Sequence, residues 1–235
     1  MRSYFIVFLF TSFVIGHDTI KENPRWKQYY RYGTVISEKS KLGITGYLRL
    51  KRITKSTFKD VRIFSHLYKN NTELKFRYKS SQRFLSFRSL YSFNTLYYEK
   101  NSILGVNLRY HLNQGLGLIV NEDKLGNTTI ESGVAFDNSD YLNTEQKTTY
   151  ARSALSFDRS LRSISTKVEV DYFYQISEVL YNKNLSRLEL LNEFEWVFSK
   201  KLSMLVGMTW TMQKNKRSSS YFLTISYKGP LSWII

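Results

Sequence analysis

The chain has 235 residues, no cysteine and a formal net charge of +16 at pH 7. The absence of cysteine excludes disulfide bonds and thiolate metal sites. The length suits one domain, and the positive charges are spread along the chain rather than clustered, so nucleic-acid binding is not expected.

The N-terminal residues 1–16 are predicted to be a secretory signal peptide. Arg2 supplies a positive start, and an apolar run extends from Tyr4 to about Ile15. That run is shorter than the ~20 residues that a membrane-spanning helix needs, and we predict cleavage near Gly16. The alternative is a membrane-anchoring helix. We therefore divide the chain into a signal peptide, 1–16, and an exported domain, 17–235.

The first clear β-strand candidates form a hairpin. Segments 28–37 and 43–53 alternate poorly, whereas 57–68 and 72–79 alternate well and are joined by a predicted turn at Asn70 and Asn71. Asparagine suits such a turn because it tolerates positive φ. In segment 72–79 an apolar face formed by Leu74, Phe76 and Tyr78 lies opposite a charged face with Glu73, Lys75, Arg77 and Lys79.

The middle of the chain is harder to interpret. Segment 84–97 is rich in aromatic residues, but its sequence does not show which of its residues share one face of a strand. Segment 102–112 is predicted to place Leu104, Val106 and Leu108 on one face and Arg109 on the other. Segment 115–126 is either a short strand or a loop. Two further strands are predicted at 128–137 and 147–158.

The last quarter is the most regular part of the sequence, with strands predicted at 164–175, 188–198, 202–212 and 221–227. In the second of these segments, alternation predicts that Leu188, Leu190, Phe194 and Trp196 face lipid. Glu189, Glu193 and Glu195 are predicted to face the interior. A lysine at a lipid-facing site in mid-membrane should then cost roughly 2–4 kcal/mol.

These segments favour an all-β fold, a closed antiparallel transmembrane β-barrel. The clearest ones are about ten residues long, which is typical of membrane barrels, whereas the strands of a soluble sandwich or lipocalin-like barrel average five or six residues. We count 12 or 13 candidates and predict about 12 strands, with 10–14 possible, because single-chain bacterial barrels use even numbers. Short turns at 70–71 and 199–201 are expected to alternate between the barrel ends with longer loops at 138–146 and 177–184.

The charged faces are the candidate functional site. The predicted lumen-facing charges are Lys75, Arg77, Lys79, Arg109, Glu169, Asp171, Glu189, Glu193 and Glu195. We expect a basic wall from the first half of the chain and an acidic wall from the second. Such charges either pair with one another and fill the lumen or line a path for water and ions.

No enzymatic pattern is evident. His17, His66 and His111 lack the compact His-x-Ser arrangement of outer-membrane lipases, and we expect no catalytic residue, metal or cofactor. The acidic clusters at Glu122-Asp123 and 137–140 are interpreted as solvated loops, although they could bind a hard cation. The expected partners are outer-membrane lipid, lipopolysaccharide and the barrel-assembly machinery, without nucleic acid.

One block of sequence also resembles a known family. Residues 94–137 contain Tyr97-Tyr98-Glu99, then LGVNLRY ending at Tyr110, then ESGVAF ending at Phe136. This block resembles the salt-induced outer-membrane protein family, a domain of unknown function, and the similarity continues weakly to about Tyr227. The resemblance implies an outer-membrane barrel with no assigned reaction.

The predicted function is therefore a structural barrel, or one for passive permeation of ions and small solutes, in the bacterial outer membrane. A surface adhesin that acts through loops such as 138–146 and a lipid-modifying enzyme are the alternatives.

Overall fold

The computed structural model describes residues 26–39, 41–139, 146–177, 184–213 and 216–230. The predicted signal peptide, His17 and parts of the two longer predicted loops lie outside these ranges. None of the described residues belongs to a helix that is long and apolar enough to cross a membrane.

Twelve strands form one closed antiparallel barrel, in which each strand pairs with its neighbours in sequence and β1 pairs with β12. The strands are β1 (Lys27–Ser37), β2 (Lys41–Ile53), β3 (Thr57–Tyr68), β4 (Thr72–Arg83), β5 (Leu90–Asn101), β6 (Val106–Glu122), β7 (Gly126–Ser139), β8 (Gln146–Leu161), β9 (Ile164–Gln175), β10 (Arg187–Val197), β11 (Leu202–Gln213) and β12 (Lys216–Pro230). The predicted fold class and the predicted number of strands are confirmed.

The predicted segments correspond to the strands with two main differences. β3 and β9 have the predicted bounds, but the separate segments 102–112 and 115–126 are one continuous strand, β6. β5 begins at Leu90 instead of residue 84, because 84–89 form the connection from β4.

The prediction that the apolar residues of segment 102–112 share one outward face is wrong for Leu104 and Val106. Leu104 lies in the connection before β6 and is 3% exposed, and Val106 is fully buried. The pairing of β5 with β6 shifts by one residue between Glu99 and Asn101, which is the signature of a β-bulge. A bulge reverses which face each following residue occupies, so Val106 points inward and Tyr110 outward.

The barrel is apolar outside and polar inside. On β12, Tyr221, Leu223 and Ile225 are exposed, while the alternating Thr224 and Ser226 are buried. On β10, Phe194 and Trp196 are about half exposed, whereas Glu193 and Glu195 are buried. This arrangement inverts that of a soluble barrel and suits a surface surrounded by lipid.

Because neighbouring strands run in opposite directions, the connections lie alternately at the two ends of the barrel. The loop end is where the odd-numbered strands finish and the next even-numbered strands begin, and it includes the described connections 69–71 and 102–105. The terminal end holds those after even-numbered strands, together with the start of β1 and the end of β12. The predicted alternation of short turns and long loops is wrong at Asn70-Asn71, because this tight turn lies at the same end of the barrel as the predicted longer loops 138–146 and 177–184.

Inward-facing glycines leave room for aromatic rings from neighbouring strands. At Gly207 of β11 a Cβ atom would overlap the ring of Phe222, and at Gly117 of β6 it would overlap the ring of Tyr91. Phe222 belongs to an internal apolar cluster with Val35, Tyr68 and Leu205.

Candidate functional site: the ion-paired lumen

An ion-paired partition crosses the lumen between opposite walls. Arg62 of β3 donates to Glu169 of β9 at 3.2 Å, and these strands are six positions apart around the twelve-stranded barrel. Arg77 of β4 lies 3.5 Å from the other oxygen of the same carboxylate, and Lys167 lies 2.9 Å from the first oxygen. We call Arg62, Arg77 and Glu169 the partition, because together they span the barrel across its width.

Asp60 holds two arginines beside the partition. Its side chain is fully buried, and Arg49 Nε and Arg62 Nε donate to its two oxygens, both at 2.5 Å. Asp60 therefore orients the guanidinium of Arg62 toward Glu169. A buried carboxylate between two buried arginines compensates charges that would otherwise be costly to remove from water.

The three predicted basic residues of β4 have different partners. Lys75 is bonded to Glu73 of its own strand at 3.0 Å and lies 3.8 Å from Glu99 of β5. Lys79 pairs with Glu131 of β7. Among the described residues, Arg77 is the member of this set whose ion pair reaches the predicted acidic wall.

The predicted acidic residues on β9 and β10 are each paired as well. Asp171 accepts from Arg152 of β8, Glu189 from Arg187 of the same strand at 2.8 Å, and Glu193 from Arg31 of β1. Glu195 accepts from Lys228 at 2.7 Å and from the hydroxyl of Ser203. These contacts use cations from β8, β10, β1 and β12, so basic residues stand beside the acidic ones on the wall that was predicted to be acidic.

Arg109, the remaining predicted residue, is buried near the loop end. It donates to Glu99 at 2.8 Å and lies 3.5 Å from Asp137. Asp137 also accepts from Arg187 at 3.2 Å, so a network continues from β5 through β6 and β7 to β10. His111 lies 3.8 Å from the same carboxylate.

Several residues of the network were missed by sequence reasoning. They are Arg31, Arg49, Asp60, Glu99, Glu131, Arg152 and Arg187. Arg31 and Arg49 belong to segments 28–37 and 43–53, whose poor alternation did not show which face each residue occupies. The signal that could have identified them is the excess of basic residues over acidic ones in the early segments, since buried carboxylates require nearby cations.

Two internal cavities lie on either side of the partition. The first, about 180 Å³, opens toward the terminal end, and we call it the vestibule. The second, about 140 Å³, lies toward the loop end. Arg62, Arg77 and Glu169 line both cavities, so the partition lies between the two spaces.

The vestibule has more basic than acidic lining residues. The basic ones are Arg49, Lys51, Arg62, Arg77, Lys79, Arg83, Arg152 and Lys167, and the acidic ones are Glu122, Glu131, Asp158, Glu169 and Asp171. Lys51 has no carboxylate within ion-pair distance among the described residues, and its ammonium lies 5.7 Å from the centre of the Phe58 ring. The vestibule is therefore a positively charged mouth.

The loop end is packed more tightly. The side chain of His66 is fully buried, and its Nδ1 lies 3.1 Å from Glu73 and 3.4 Å from the hydroxyl of Tyr68. Ile103, in the connection 102–105, packs against the internal cluster that contains Tyr68. Within the described ranges, no group of three or more potential ligands is placed to hold a metal ion.

No protein-family model and no characterised protein matches this sequence. Solved structures do share its fold. The NanC porin aligns with a TM-score of 0.59 and 9% identity, over 85% of this chain and 98% of that one. The translocator domain of the autotransporter NalP from Neisseria meningitidis aligns with a TM-score of 0.49 and 10% identity, over 88% of this chain and 89% of that one.

An outer-membrane channel from Pseudomonas putida F1 gives a TM-score of 0.49 and 9% identity, over 88% of this chain and 94% of that one. At such low identity these likenesses concern the fold alone. The resemblance to the salt-induced family stays a prediction. The chain is thus a closed twelve-stranded antiparallel barrel that shares its architecture with the NanC porin.

Proposed function

We propose that this protein is exported to the bacterial outer membrane and lets ions and small solutes permeate passively through a narrow lumen. The single observation that carries the proposal is the pair of internal cavities, both lined by charged residues, that meet at the partition. A barrel with a purely structural role gains nothing from open space on both sides of one layer of charged side chains. Ion pairs across the lumen make that layer the main resistance to flow.

The outward surface and the fold neighbours support the location. Exposed leucine, isoleucine, tyrosine and phenylalanine side chains surround the barrel, as a lipid-facing surface requires. The NanC porin has the same overall architecture. β9 and β10, which are separated by the longest stretch of sequence between consecutive strands, residues 176–186, meet at the loop end. Because barrels of this kind have longer outer loops than periplasmic turns, we assign the loop end to the outside of the cell and the vestibule to the periplasmic side.

Replacing Arg77 with alanine should increase the single-channel conductance in planar bilayers. The change removes one side of the partition, while Glu169 keeps Arg62 and Lys167 as partners, so the remaining network stays compensated. The matched control is Arg159→Ala, which removes a partly exposed arginine paired with Asp123 and lining neither cavity, so the conductance should stay near that of the wild type.

Folding of each variant is checked by its heat-modifiable migration on a gel. If neither the wild type nor Arg77→Ala passes current at any voltage while both remain folded, permeation is excluded. A structural or ligand-binding role would then replace it.

The positive vestibule should make the wild-type current anion-selective, because a charged mouth raises the local concentration of oppositely charged ions. Lys51→Glu should shift the reversal potential toward cations under a salt gradient, since Lys51 lines the vestibule. Lys59→Glu makes the same charge change on the outer face of β3 and should leave the potential unchanged. Equal shifts in both variants would contradict a selectivity set by the vestibule.

A further inference from the structure

A groove of about 510 Å³ crosses the outer surface of β4–β8 near the loop end. Two rows of outward side chains, aligned by the strand register, form its walls. The first row is Phe76, Tyr98, Tyr110, Asn138 and Lys147, and the second is Leu96, Leu112, Phe136 and Thr149. We call this feature the aromatic groove.

The groove has the shape and chemistry to receive an acyl chain. The cavity lies against both rows of side chains, and successive rows on one face of a strand are about 6.6 Å apart. Tyr98 and Tyr110 contact each other in the first wall, with ring centroids 5.5 Å apart. Rigid aromatic rings lose little conformational entropy when they hold a flexible chain, so the groove is a preformed apolar site.

Two exposed lysines lie at the loop-end margin of the groove. Lys147 ends the first wall, and Lys100 lies two residues beyond Tyr98 on the same face of β5. Lys100 and Lys147 lie on strands that are three positions apart, which corresponds to about 14 Å across the sheet. The two lysines are therefore spaced to meet two separate anionic groups.

We propose that the aromatic groove binds an acyl chain of lipopolysaccharide, whose phosphates are held by Lys100 and Lys147. The proposal rests on the proposed function, because it requires the loop end to lie in the outer leaflet. A phosphorylated glycolipid with several acyl chains fits the spacing of the lysines better than a phospholipid, whose single phosphate can meet only one of them.

The test is native mass spectrometry of the full-length barrel folded in detergent and titrated with lipopolysaccharide or with phosphatidylglycerol. The wild type should retain lipopolysaccharide in preference to phosphatidylglycerol. Lys100→Gln and Lys147→Gln should each weaken lipopolysaccharide binding about fivefold, the contribution of one cation near an anionic membrane surface. Leu112→Trp, which fills the groove, should weaken it without changing charge.

The matched control is Arg217→Gln, which removes an exposed cation at the loop end on β12, six strands from β6. It should bind lipopolysaccharide like the wild type. Equal losses in Arg217→Gln and the two lysine variants, or equal retention of both lipids by the wild type, would overturn the proposal. Binding in detergent does not depend on conductance, so the failure of one proposal is distinguishable from the failure of the other.

Discussion

The Asp60→Asn variant is expected to lose about 3–5 kcal/mol in its free energy of unfolding, because it removes a buried negative charge that two arginines share. Asp60 is fully buried and bonded to both Arg49 and Arg62. Without it, Arg49 loses its close carboxylate, and Arg62 keeps only Glu169. Three guanidinium groups, those of Arg49, Arg62 and Arg77, then lie close together without sufficient compensation.

Denaturant unfolding of the barrel in lipid vesicles, followed by tryptophan fluorescence, measures this difference. The matched control is Glu122→Gln, which breaks the exposed pair with Arg83 at the vestibule rim. An exposed pair is worth about 0.2–1 kcal/mol, since water screens both charges. A loss of similar size in both variants would mean that the interior is hydrated well enough to screen Asp60.

The Val206→Lys variant should lower the free energy of unfolding by roughly 2–4 kcal/mol, because it places a cation at the centre of the lipid-facing surface. Val206 is 51% exposed and lies near the middle of β11, between Phe194 and Leu223 in the strand register. An ammonium group at that depth has neither water nor a carboxylate within reach on the outer face.

Leu202→Lys is the matched control, since Leu202 begins the same strand on the same face and lies at the terminal end. Near the membrane interface the loss in free energy of unfolding should fall to about 0–1 kcal/mol. Both values come from unfolding titrations in vesicles. If the two lysines cost the same, the outer surface of β11 is not immersed in lipid, and the membrane assignment fails.

The parts of the fold that sequence reasoning predicts well are those in which one face is uniformly apolar. β9 was predicted to the residue because Val168 and Val170 alternate with Lys167 and Glu169. β1 alternates poorly because its interior face mixes Arg31 and Gly33 with the buried Val35. β6 was split after Leu112, because Gln114 interrupts the apolar outward row and glycines follow at 115 and 117.

The ion pairs depend on information that a strand-by-strand reading does not contain. Alternation can assign Glu169 to a face, but its contact with Arg62 joins residues 107 positions apart, across the lumen. Such a contact requires the number of strands and the stagger of the closed barrel, together with the length of the two side chains. The partners of Glu193 and Glu131 could not be predicted for the same reason.

The pairing of β1 with β12 has a consequence for how this chain folds. A hydrogen bond from Gln28 to the carbonyl of Pro230 joins residues 202 positions apart, and eleven register pairs complete the contact. The pairing between β1 and β12 cannot form until β12 is available. The chain must therefore lose the conformational entropy of closing a very long loop before the hydrogen bonds between these two strands can offset that loss. Until then both outer strands present unpaired edges, which favour aggregation. Biogenesis is therefore expected to be slow and to require a factor that protects these edges.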